Sequence, residues 1–106
     1  MDFPAARSLT GGIAVTTTER GLPLAVELDQ GELDKAPQQL AAEILALCRL
    51  AAVRAQVTKR RALLAARVDP AVIRNLQLAN EEDLIAAESA LAEYDDEAPG
   101  SWMRSV

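Results

Sequence analysis

The chain has 106 residues, enough for one domain with a thin core, and only three of them are aromatic: Phe3, Tyr94 and Trp102. Half are hydrophobic, mostly Ala, Leu and Val, which excludes global disorder and argues against a deep, aromatic-lined ligand pocket. The net charge of −5 is unevenly divided: residues 1–67 carry nine Lys/Arg against seven Asp/Glu, and residues 68–106 carry two against nine.

Cys48 is the only cysteine, so no intramolecular disulfide can form and a reducing cytoplasm is the expected compartment. The start, Met-Asp-Phe-Pro, lacks the basic and apolar regions of a signal peptide. No run approaches the roughly 18 apolar residues needed to span a bilayer.

Phe3–Leu9 has a weak strand pattern, interrupted by Pro4. Gly11 and Gly12 lead into an alternation in which Ile13, Val15 and Thr17 share one face. Glu19-Arg20-Gly21 then suits a three-residue hairpin loop, with Gly21 able to take a left-handed conformation. Leu22, Leu24, Val26 and Leu28 place four apolar side chains on one face of the returning strand, with Pro23 at its edge or outside the ladder. A lone hairpin is marginally stable, so something must cover that face.

Asp29–Lys35 reads as a polar connection with Leu33 as its apolar anchor. Pro37 suits a helix first turn, and no Gly or Pro follows until Pro70. Leu40, Ile44, Leu47, Cys48, Ala51, Ala52 and Ala55 recur at three- and four-residue steps, predicting an amphipathic helix over about 37–67. Leu45, Leu50, Val53 and Val57 add a second apolar arc, which is expected to meet a partner subunit or client. Asp69-Pro70 starts a new helix to about Leu78. Asn80 caps another, whose first-turn acids Glu81, Glu82 and Asp83 favour the helix dipole. Its stripe is Leu84, Ala87, Leu91 and Tyr94, and it is expected to end near Tyr94, before Asp95-Asp96-Glu97. The expected organisation is a strand–helix core over 1–67, a helical extension over 68–94 and an acidic tail over 95–106.

Histidine is absent, removing the commonest general base and metal ligand. Cys48 lies in the apolar stripe, where a buried thiol is inert. The acidic clusters lack the alternating spacing of a calcium loop, and Gly11-Gly12 lacks the Lys-Ser/Thr of a phosphate loop. No catalytic residues, metal or cofactor are therefore expected. Arg54, Lys59, Arg60 and Arg61 have the charge to contact phosphates, but net acidity and the lack of interleaved aromatics weigh against nucleic acid. Trp102 is a candidate anchor in a partner groove.

With these elements placed, Gly12–Gln56 resembles the YbaB/EbfC family. The shared pattern is the strand ending Leu24-Ala25-Val26-Glu27-Leu28-Asp29, then Gln39-Leu40-Ala41-Ala42-Glu43-Ile44 opening an Ala-rich helix that continues as Leu50-Ala51-Ala52-Val53-Arg54-Ala55-Gln56. The family's N-terminal helix before the strands is missing. Asn75-Leu76-Gln77-Leu78, the acidic helix Glu81–Glu93 and Tyr94-Asp95 extend the likeness to the EspH-like accessory proteins of actinobacterial ESX (type VII) secretion systems. The resemblance implies an α+β fold: a hairpin or three-stranded antiparallel sheet on a long helix, then one or two shorter helices, in a homodimer. It also implies a cytosolic, chaperone-like helper that binds secretion substrates, but it carries over no site residues. The apolar patterning itself makes Leu45, Leu50, Val53 and Val57 of the long helix, Leu84 and Leu91 of the last helix, and Trp102 the expected dimer or client surface. The alternative is a nucleoid-associated DNA binder using Arg54, Lys59, Arg60 and Arg61.

Overall fold

A computed structural model describes residues 3–97 of the chain. Three antiparallel strands, β1 (Ala5–Arg7), β2 (Ile13–Thr17) and β3 (Pro23–Leu28), form one sheet in the order β1-β2-β3. A short 3₁₀ turn (Gln30–Asp34) leads into α1 (Pro37–Ala65), followed by α2 (Pro70–Asn75) and α3 (Glu81–Glu97). The architecture is α+β, and α1 is unbroken through Thr58–Arg61.

The hairpin forms as the alternation predicts. Ile13 pairs with Leu28, Val15 with Val26 and Thr16 with Ala25, with an irregularity at Thr16/Thr17 near the loop. Gly21 has φ +92°, and its missing side chain faces Ala52 and the Cys48 carbonyl, so the loop closes directly against α1. Pro4 interrupts the weak N-terminal pattern; Ala5–Arg7 pair with β2, and the Thr17 N–H to the Pro4 carbonyl and the Ser8 N–H to the Ile13 carbonyl close the two ends of this short ladder.

Ile13, Val15 and Thr17 are buried under α1, together with Ala6 of β1. On α1 the predicted stripe supplies Leu47, Cys48, Ala51 and Ala52 to this core. The second arc is filled from within the chain. Leu50, Val53 and Val57 are buried beneath α3, which contributes Ala87 and Leu91. Four of the side chains expected at a partner interface, Leu50, Val53, Val57 and Leu91, therefore lie in the monomer's own core. α3 can do this because its stripe has the same three- and four-residue spacing as the arc it covers. Leu33, expected to anchor the connection, is 63% exposed, because the 3₁₀ turn is held by polar contacts.

The ends of α1 and α2 explain how the chain reverses twice in a short span. At the end of α1 the Val68 N–H donates to the Leu63 carbonyl and the Arg67 N–H to the Leu64 carbonyl. Arg67 has φ +59°, so this is a Schellman cap without the usual glycine. Asp69 then caps α2, its carboxylate accepting from the Ala71 N–H at 2.9 Å. Gln77 (φ +53°) ends α2 at Asn75, earlier than the predicted Leu78. Asn80 and Asp83 form a reciprocal capping box at the start of α3, with both side-chain to N–H distances at 2.9 Å. α3 continues to Glu97, beyond the expected end at Tyr94. Acids in a last turn are disfavoured by only tenths of a kcal/mol each, about what extending an existing helix can offset.

Candidate functional site

Two features of the fold carry chemistry that simple packing does not require. The first is an ion cluster at the start of α1. Glu43 is buried on α1, and its carboxylate accepts from Lys35 Nζ at 2.8 Å. The same ammonium donates to Glu32 at 2.7 Å, within the 3₁₀ turn. Burial by itself lowers the Lys35 pKa, but the hydrogen bonds and charges of Glu32 and Glu43 outweigh it and raise the value above 10.5. Gly12 makes room for the cluster, since a Cβ there would stand 2.8 Å from the Glu32 carboxyl group. The trio therefore ties the connection to α1, close against the turn before β2. Its geometry is that of a structural clamp, with the ammonium already occupying the space between the carboxylates.

The second feature is a strip of open surface along α1, between the hairpin and α3. A cleft of about 410 Å³ lies there, with Arg20 and Gly21 on one wall, Gln77–Ala79 on the other, and Cys48, Ala52 and Val53 in its floor. A second, more apolar hollow of about 380 Å³ lies between Ala42 and Ala46 of α1 and Ala90 and Tyr94 of α3. Leu45 and Arg49 border both hollows. Leu45 is 66% exposed, and it is the one member of the predicted second arc that α3 leaves in solvent. Arg20 and Arg49 form no ion pair with any described residue. Leu45 is thus an apolar knob between two hollows whose linings mix charges, Arg20, Arg49 and Asp83 in the first and Arg49 and Glu93 in the second. Cys48 is buried, and burial pushes its thiol above 9.0, so it stays protonated and unreactive there.

The four candidate phosphate contacts are separated in the structure. The Arg60 guanidinium donates to the carbonyls of Ala79 (3.1 Å) and Leu78 (2.7 Å), holding the link between α2 and α3. Arg61 makes a two-pronged contact with Glu81, each arm 2.7 Å. Hydrogen bonding to Glu81 and its charge raise the Arg61 pKa, and the Arg61 hydrogen bond lowers that of Glu81. Gln56 bridges the same link to the hairpin loop, accepting from the Ala79 N–H and donating to the Glu19 carbonyl, both at 2.9 Å. Only Arg54 and Lys59 of the four stand exposed without a side-chain partner among the described residues. Leu84 is half-buried at the edge of the core. Trp102, the remaining candidate anchor, lies outside the described residues.

The structural roles of Gln56, Lys35 and Glu43 were not legible from spacing. Glu43 alone offered a signal: a single acid in the middle of an otherwise apolar stretch of helix. Among the described residues no three His, Cys, Asp or Glu side chains come together as a metal site, and no helix is long and apolar enough to cross a membrane. Comparisons with protein-family models, with curated proteins and with solved structures find no match to this chain.

Proposed function

We propose that this protein is a non-catalytic, dimeric binding protein of the cytoplasm, serving type VII secretion as a chaperone-like accessory that holds substrates through protein–protein contacts. Two supports stand side by side. One is the resemblance of Gly12–Gln56 and the helical extension to the EspH-like branch of YbaB-like proteins. The other, which carries the reading, is the exposed strip around Leu45 and Arg49 between two hollows. Exposed apolar side chains beside arginine are characteristic of surfaces that recognise other proteins.

The test is capture of secretion substrates from the native host. Tagged protein is expected to retain them, and Leu45→Glu is expected to lose them with an unchanged circular dichroism spectrum. Failure of the wild-type protein to retain any secretion substrate would overturn the reading. The DNA-binding alternative rests on Arg54 and Lys59, with Arg60 and Arg61 engaged inside the chain. It predicts duplex binding that weakens steeply with salt. A mobility shift absent at low salt removes it.

A further inference from the structure

The two edges of the sheet are treated differently. β1 is three residues long, follows Pro4 and ends in Arg7, all features that discourage pairing with another chain. β3 is six residues long and every one of them is exposed. Its only charge, Glu27, points to the face away from α1, and its only proline, Pro23, stands at the strand start. α1 packs on β1 and β2 and stops short of β3. Leu24, Val26 and Leu28, on the α1 side of the sheet, are left 51%, 40% and 37% exposed.

The backbone makes this edge specific. The Asp29 N–H donates to the Gly12 carbonyl at 2.8 Å, and Ala14 stands opposite Glu27. By the alternation of an antiparallel ladder, Ala25, Glu27 and Asp29 turn their N–H and C=O groups toward β2. Val26 and Leu28 turn theirs outward, where no described strand receives them. The unpaired backbone groups and the uncovered apolar side chains thus belong to the same residues.

Resting on the dimer reading above, we propose that the occupant of this edge is β3 of a second copy, paired antiparallel about a two-fold axis at Val26 to give a continuous six-stranded sheet. In this register Val26 exchanges both hydrogen bonds with the partner subunit's Val26, and Leu28 lies opposite the partner's Leu24. Ala25 lies opposite the partner's Glu27. The next register toward Leu28 would set the two Glu27 carboxylates directly against each other, which is unfavourable. The next toward Pro23 would place Leu28 opposite Leu22, beyond the end of the strand. Pairing covers these side chains and the strand edge together, which is a contribution to, and not the whole of, the roughly 800 Å² per partner of stable interfaces.

Light scattering on the wild-type protein establishes whether a dimer exists, and a monomer would overturn the dimer reading and this inference with it. The register is tested with two proteins in a Cys48→Ala background, one carrying Ala25→Cys and the other Glu27→Cys. Directly opposed, non-hydrogen-bonded residues have Cα atoms about 4.5 Å apart, within disulfide reach, whereas residues offset by two are about 7–8 Å apart. After co-refolding and oxidation, the mixture is expected to form a disulfide-linked heterodimer, and each protein alone is not. Val26→Pro removes only an outward N–H, which an edge strand tolerates, and is expected to give a folded monomer. A wild-type dimer that neither cross-links in the mixture nor dissociates on Val26→Pro would leave the dimer reading standing and overturn the β3 pairing.

Discussion

Lys35 shows how one side chain can hold a fold whose core is thin. Its ammonium neutralises the buried Glu43 carboxylate and pins the 3₁₀ turn through Glu32. Lys35→Met is expected to cost about 3–5 kcal/mol in denaturant unfolding, chiefly because Glu43 is left buried and unpaired. The double variant Lys35→Met/Glu43→Leu is expected to recover most of that loss. Because the folded Lys35 pKa lies above its ordinary 10.5, the stabilisation is complete below that pH. On the alkaline side it fades as pH rises through the higher folded value, so above neutral pH the gap between wild type and Lys35→Met should shrink only in strong alkali. The two neighbouring arginines make the opposite comparison. Arg60→Met should lower stability by about 1.5–3 kcal/mol, since a half-buried guanidinium holds two carbonyls. Arg61→Ala breaks only a solvent-exposed pair with Glu81 and should leave the melting temperature unchanged within error.

At the scale of elements, most of the secondary structure was legible because its signals are local. The hairpin alternation, Pro37 and Pro70 at helix starts, Asp69 as a cap and the Asn80 start each act within a few residues. The helix ends were less legible, because Arg67 and Gln77 adopt positive φ where a glycine would have announced the turn. Arg67→Gly should therefore stabilise the protein by about 0.5–1 kcal/mol in thermal or urea unfolding, since the left-handed cap is strained for a residue with a Cβ. The covering of Leu50, Val53 and Val57 by α3 was hidden for a different reason. A surplus apolar arc says that something must pack there, and periodicity cannot distinguish a later helix of the same chain from another subunit.

The whole molecule is elongated. Its extents are 54 × 29 × 19 Å, and its radius of gyration is 16.0 Å, against about 13 Å for a compact domain of this length. The cause is α1, whose 29 residues span about 43 Å at 1.5 Å per residue, longer than a three-stranded sheet and α3 can cover on all sides. A second copy would shorten that deficit. If the protein associates as proposed, its melting temperature should rise with protein concentration, and scanning calorimetry at micromolar and at several hundred micromolar should separate the two midpoints by several degrees. Coincident midpoints would argue for a monomer.

The amino-acid sequence by itself determined the elements, the shared apolar face of Leu24, Val26 and Leu28, and the absence of histidine from any site chemistry. Those properties follow from side-chain period, backbone chirality and composition, which are read over a few residues at a time. Tertiary structure alone decided which apolar faces remain open. It brought Lys35 to Glu43 and Arg60 to the α2–α3 link, and laid α3 over all of the surplus arc but Leu45. It left β3 and Leu45 in solvent, because burial depends on which segments, distant in sequence, reach a surface first.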